Sequence, residues 1–313
     1  MASARSAGRS AAFGIICLVF AAFFWGTTFV AQIFGAGSVG PFTYVFSRSV
    51  FSVICLFPIA AVSNMRGGEK SFRRAMFGDK KPRDVILSGI VCGVVLCCAM
   101  SLQQSGIGGS SAGKAAFLTA IYIIIVPVLN YLLFRKKTGA VVMVSMLIAV
   151  AGLYLLCVKS GESMALDPSD ALLLACSLAF ATHIVVIDRF ADRVNGIMLS
   201  CLQFAVVAVI AGALMVIFEK PSWDSWIAGL PSIAYAGVLS GAVAYTLQII
   251  GQQRCEPALA SMIMSLESVF SALSGAVVLN ERMTLREFAG SALIFAAIIL
   301  AQMRIGKKRK TDR

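Results

Sequence analysis

The chain has 313 residues, of which 59% are hydrophobic and only 13% charged. Soluble domains carry about 25% charged residues, so there is too little polar surface here to cover a soluble globule of this size. The formal net charge of +12 could suggest nucleic acid. However, the basic residues stand in short segments between apolar runs, with no interleaved aromatics to stack bases, so no nucleic-acid partner is expected.

Ten apolar runs follow in chain order, near residues 12–34, 41–62, 85–107, 111–134, 138–158, 169–190, 194–218, 227–250, 258–279 and 287–305. Each is about long enough to cross a ~30 Å hydrocarbon core as a helix. They are apolar all round, unlike the one-sided stripe of a soluble core helix. The expected partner is therefore the lipid bilayer. The first run is as long as a spanning helix and has no small-residue cleavage site after it, so it reads as a span rather than a signal peptide. Eight of the nine cysteines fall inside these runs and read as small packing residues; Cys255 is the exception.

Charge sets the orientation. With both termini in the cytoplasm, the inner side holds 21 Lys and Arg and the outer side four: Lys159, Lys220, Arg282 and Arg286. The longest connection, Ser63 to Asp84, carries seven of the inner charges and reads as a solvated loop. Such a bias is the positive-inside pattern, and it predicts a bacterial inner-membrane protein. Trp223 and Trp226 are expected in an outer loop, as part of an interfacial belt.

The chain also repeats internally. Ser88-Gly-Ile-Val-Cys-Gly93 with Gln104 and Ala236-Gly-Val-Leu-Ser-Gly241 with Gln252 superpose at an offset of 148 residues. Ten spans divide into five plus five, and an odd number per unit turns the second copy upside down. The expected fold is an all-α membrane protein of two inverted five-helix repeats: a tail at 1–11, repeats at 12–158 and 169–305, an outer linker at 159–168 and a basic tail at 306–313. Inverted repeats of this kind place a solute site near the midplane between the copies.

Several motifs resemble the EamA-type carriers of the drug/metabolite transporter superfamily, from about Phe13 to Met303. Phe24-Trp-Gly-Thr-Thr-Phe-Val30 is similar to the family's opening element, and Ala115-Ala-Phe-Leu-Thr119 with Val126-Pro-Val128 to the later part of its first repeat. The second half adds Ala244-Tyr-Thr-Leu-Gln248, Ser265-Leu-Glu-Ser268 and Asn280-Glu-Arg-Met-Thr284. The resemblance implies a carrier that exports or exchanges small organic metabolites such as amino acids by alternating access. It also implies a cavity lined by spans one, three, four, six, eight and nine. Ser268 stands where members have proline, which removes the usual source of a kink in the ninth span. Phe134-Arg-Lys-Lys137 lacks the acidic residue of Asn280-Glu-Arg282.

Polar groups inside spans mark candidate sites, since a charge at the bilayer centre costs at least ~2.5–3.5 kcal/mol. Glu267 is the mid-span acid, either a proton-titrating or cation-binding carboxylate or a structural, hydrogen-bonded one. His183, the single histidine, reads as a proton relay or an interhelical hydrogen-bonder. Arg48 could grip a carboxylate or phosphate, but snorkelling or structural pairing is the favoured reading; Lys114 is also expected to snorkel. Gly237, Gly241, Tyr245, Gln248 and Gln252 share a helical face, with the glycines packing and the polar groups lining. Trp25, Thr28 and Gln32 form a similar face, where Trp25 could cover a ring or ammonium. The expected solute-binding set is thus Trp25, Thr28, Tyr122, His183, Tyr245, Gln248 and Glu267, with Glu267 and His183 coupling protons.

Gly108-Gly-Ser-Ser-Ala-Gly-Lys114 has the spacing of a phosphate-binding loop, but Ala115 replaces the Mg²⁺-binding hydroxyl and a membrane helix precedes it. No metal spacing or nucleophile triad is found, so neither a cofactor nor an enzyme is expected. The alternative is a non-transporting multispan protein, a lipid-modifying enzyme or a sensor. The enzyme would need clustered polar residues at one interface.

Overall fold

The computed structural model describes residues 2–65, 72–77, 79–110, 112–158, 167–190, 194–278 and 283–311. Most of the linker 159–168, part of the 63–84 loop, Arg193 and Asn280-Glu-Arg282 lie outside the described residues. Among the described residues the chain is helical, without strands. It has ten stretches long and apolar enough to cross a membrane. They are α1 (Ala2–Ala36), α2 (Pro41–Asn64), α4 (Pro82–Ile107), α5 with α6 (Ala112–Ala120 and Tyr122–Phe134), α7 (Ala140–Cys157), α8 (Pro168–Phe190) and α9 (Gly196–Phe218). Then follow α10, a π-helical segment and α11 (Trp223–Tyr235, Ala236–Ala244 and Tyr245–Gln252), α12 with α13 (Pro257–Met264 and Leu266–Val278) and α14 (Leu285–Thr311). A short α3 (Phe72–Phe77) lies within the 63–84 connection, expected to be only solvated chain. Trp223 and Trp226 lie in the first turn of α10 rather than in a loop.

Local sequence sets the helix ends. Pro41, Pro82 and Pro257 stand at first helical positions, where a missing N–H removes no ladder bond. Asn195 caps α9 by accepting from the Ile197 N–H at 2.9 Å. Arg135 closes α6 in the left-handed region, at φ 56°.

Three spans are not continuous α-helix, a feature the apolar runs do not announce. The fourth breaks at Ile121, the ninth at Ser265, and the eighth carries the π-helical stretch. The ninth breaks although Ser268 replaces proline. Serine hydroxyls bind carbonyls here: Ser261 Oγ donates to Ala258 O at 2.9 Å and Ser265 Oγ to Met262 O at 2.7 Å. Such back-bonding bends helices. In lipid, irregular backbone survives only where it is buried or lines a cavity.

Packing shows the inverted repeat directly. The second span lies on the seventh (α2 on α9), and the fifth on the tenth (α7 on α14). The remaining large contacts come in equivalent pairs: α4 on α8 matches the π segment and α11 on α1, α4 on α9 matches the π segment on α2, and α6 on α8 matches α13 on α1. Each of these contacts joins one half to the other. Gly152 and Gly290 face each other's carbonyls where α7 meets α14. Gly89 abuts Leu202 and Gly93 abuts Gln203; at the equivalent crossing, Gly237 abuts Phe51 and Gly241 abuts Ser52. One constant offset relates Leu202 to Phe51 and Gln203 to Ser52. Small residues let the backbones approach, which matters because lipid supplies no hydrophobic drive between helices.

The exterior is apolar, as a lipid-facing surface must be: Val209, Val216 and Val277 are 74%, 75% and 81% exposed. The polar side chains of the spans turn inward instead. The crossing of α2 with the π segment provides a test. The Ser52 hydroxyl lies 2.8 Å from Gly237 O and 2.9 Å from Arg48 O, and a methyl on Gly241 would be driven into it. Gly241→Ala should lower the stability of the solubilised protein by about 1–3 kcal/mol, read as a lower melting temperature. Gly139→Ala, where a methyl would meet nothing within 4 Å, should leave it unchanged.

Candidate functional site

The three interrupted spans converge on one chamber between the halves. From the first half, Trp25, Phe29 and Gln32 of α1 line it, with Gln103 of α4, Thr119 of α5 and Tyr122 of α6. The second half contributes Phe180 and Ile184 of α8, Ser240 of the π segment, Tyr245 and Gln248 of α11, Met264 of α12 and Glu267 of α13. Arg48 enters from α2. Its cavity volume is about 40 Å³. The chamber is narrow in this conformation, with room for a few waters.

Its acidic end is built by two helix breaks. Tyr122 is the first residue of α6 after the break at Ile121, and Glu267 lies in the first turn of α13 after Ser265. The breaks bring the two side chains together, so that Tyr122 Oη donates to Glu267 Oε1 at 3.2 Å. Glu267 is the one acidic side chain among those lining the chamber.

The chamber also holds a cationic group. Arg48, only 2% exposed, donates through Nη1 to Gln32 Oε1 at 3.0 Å and lies over the Tyr44 ring at 5.9 Å. Gln104 Nε2 donates to the Gln32 carbonyl at 3.2 Å, steadying the acceptor. No ion pair joins Arg48 to Glu267 among the described residues. Trp25 and Tyr245 also line the chamber and meet edge to face at 4.9 Å. Trp25 Nε1, Arg48 Nε and Gln248 Oε1 are buried without a protein hydrogen-bond partner. Buried polar groups are normally paired, so these three remain open to water or to a bound molecule.

The family model described as the EamA-like transporter family matches residues 12–158 and again 168–303. The chain belongs to the EamA-like transporter family. A protein of Archaeoglobus fulgidus described as an uncharacterized transporter is 25% identical over 288 residues, covering 92% of this chain and 85% of its own. A solved structure described only as the crystal structure of a protein shares the fold, with a TM-score of 0.71. It is 17% identical and is matched over 93% of this chain and 97% of its own.

In this EamA-like transporter, Trp25, Tyr122, Tyr245, Gln248 and Glu267 come together in the chamber. Thr28 and His183 do not line it. Thr28 Oγ1 turns back to its own helix and donates to Phe24 O at 2.6 Å. His183 lies between α8 and α9, its Nε2 3.1 Å from Gln203 Oε1. The ring stands edge-on to Tyr245, with centroids 6.0 Å apart, and so contacts the chamber wall from behind.

Lys114, expected to snorkel, and Arg48, expected to snorkel or to pair structurally, are both buried. Arg48 is in the chamber. Lys114, 6% exposed, pairs with fully buried Asp170 at 2.5 Å and so ties α5 to α8 across the two halves. Asp170 also accepts from Ser110 Oγ at 3.2 Å and from the Asp167 N–H at 3.0 Å. The glycine-rich stretch before Lys114 thus ends in an ion pair, not a phosphate cradle. An i, i+4 pattern shows which residues share a face but not what that face meets, and this is why Gln103, Thr119 and Ser240 escape a sequence-only reading and why Arg48 reads first as structural. The intramembrane charge itself was the available signal for Arg48.

Removing one partner of a buried pair strands the other charge, at about 3–5 kcal/mol. Lys114→Met should therefore sharply lower the melting temperature, and Lys114→Met with Asp170→Asn should recover most of the loss. A double variant no more stable than the single would show that the pair does not carry this contact.

Proposed function

We propose that this transporter moves small, amino-acid-like organic metabolites across a bacterial inner membrane by alternating access, with proton linkage through Glu267. The observation that carries this reading is the chamber itself. It lies at the interface of the inverted halves, where helix breaks present polar side chains, and inverted-repeat transporters bind their solutes in such a seam. Rocking one half against the other would open the narrow chamber to either side. The sidedness of the basic residues favours cytoplasmic termini, and the family resemblance favours outward movement.

We place the proton on Glu267, the one chamber-lining acid, with Tyr122 as its hydrogen-bond partner. His183, bonded to Gln203 behind Tyr245, is read as holding the Tyr245 ring rather than as touching the solute. Trp25, Tyr245 and Gln248 would enclose the solute.

The test is flux of labelled amino acids in proteoliposomes under an imposed proton gradient. Glu267→Gln keeps the shape but cannot ionise. It should cut gradient-driven flux by roughly tenfold or more, the equivalent of about 1.4 kcal/mol, and flatten its pH profile, while the protein remains folded. Flux that keeps its magnitude and pH profile in this variant would remove Glu267 from the coupling path.

A further inference from the structure

We infer that Arg48 is the specificity-determining residue of the chamber, recognising a carboxylate on the transported solute and rejecting solutes that carry only positive charge. This role rests on the carrier reading above and adds to it the pole that the sequence alone treats as structural.

A guanidinium cannot deprotonate in a protein, and a buried charge is tolerated only with partners. Arg48 stands deep in α2, 2% exposed, yet no acidic side chain pairs with it among the described residues. Its protein hydrogen-bond acceptor is the neutral Gln32 Oε1, and its Nε has none. The planar fork of arginine matches a carboxylate in two-pronged fashion, so an incoming carboxylate would supply the counter-charge and take up free donors at once.

The fork is also held in place before any solute arrives. Gln104 fixes the Gln32 backbone and Gln32 fixes Nη1, while the Tyr44 ring lies under the guanidinium. Tyr44 is itself fixed, its Oη 3.0 Å from Ser232 Oγ. A pre-ordered donor binds without a further ordering cost.

Glu267 supplies the opposite pole. It lines the same chamber but forms no ion pair with Arg48 among the described residues, and Trp25 and Tyr245 line it too. A solute with a carboxylate and an ammonium carries a group of matching charge for each of Arg48 and Glu267. An amphiphilic cation would meet Glu267 favourably and Arg48 unfavourably, and like-charge juxtaposition of this kind is how sites exclude wrong partners.

The test uses purified wild-type protein with alanine, leucine and phenylalanine, their amides, which lose the carboxylate charge, and the matching 2-hydroxy acids, which lose the ammonium. Thermal shift reads binding, and proteoliposome uptake of the labelled compounds reads transport. In the wild type the amides should bind and cross roughly tenfold or more weaker than the amino acids, because a charged donor is left unpaired. The 2-hydroxy acids should bind better than the amides. Arg48→Gln should abolish the preference for acid over amide, and Arg48→Lys should keep it in weakened form. The wild-type comparison decides the matter even if Arg48→Gln does not fold.

Amides that cross as well as the acids would overturn the role of Arg48 and leave the carrier reading standing. That role falls equally if an Arg48→Gln protein keeps the preference, or if inorganic phosphate displaces the acids. If no probe of any series crosses wild-type liposomes, the carrier reading fails and the role of Arg48 fails with it.

Discussion

Lipid cannot hydrogen-bond, and nearly every feature of this chain follows from that. In hydrocarbon each unpaired backbone N–H or carbonyl is expensive, so the spans must be helices, and any interruption must be shielded by protein. The interruptions at Ile121, at Ser265 and through Ala236–Ala244 obey this rule, since all three adjoin the chamber between the halves. The same constraint turns the molecule inside out relative to a soluble protein. Val209, Val216, Phe218 and Val277 face outward, while Arg48, Gln104, Asp170, His183, Gln203 and Gln252 are buried and bonded to other helices or, in the case of Arg48, held facing the chamber.

Because lipid gives no hydrophobic push between helices, the two halves are held by close approach and by polar contacts that cross between them. Glycine crossings provide the approach. Among the polar contacts, Glu219, from the end of α9, accepts from the N–H groups of Phe42 and Thr43 at 2.9 and 2.8 Å and so caps α2 of the other half. Gln104 reaches the Gln32 carbonyl, and at the equivalent place Gln252 reaches Ile184 O at 2.9 Å. This repetition gives the bundle its approximate two-fold symmetry. The Lys114–Asp170 pair breaks it by locking α5 to α8.

A second asymmetry gives the chamber its character. Arg48 comes from the first half and Glu267 from the second, so rocking of the halves, as proposed, would change the separation of the two charges. A solute that bridges them would feel the motion directly. Tyr245 sits where these influences meet, packed against Trp25, Phe204 and His183. Its position follows from the π-helical turns before it, since an extra residue per turn rotates all that comes after, and π-helical insertions occur frequently at functional sites.

Apolar length made the ten spans legible, the odd count per repeat made the inversion legible, and the expense of an intramembrane acid pointed to Glu267. The helix breaks were not legible, because the serines that cause the one in the ninth span look like ordinary small residues, and the missing proline suggested the opposite. The spacing of Trp25, Thr28 and Gln32 showed a shared face. Even so, Thr28 bonds its own backbone while Trp25 and Gln32 meet the chamber. By itself, then, the sequence determined which segments enter the membrane and how many times, since transfer of side chains from water to lipid is a local, additive property. Only the tertiary structure decided that Arg48 faces inward, that Lys114 meets Asp170 and that His183 stands behind Tyr245. Those outcomes depend on how helices distant in sequence rotate against one another.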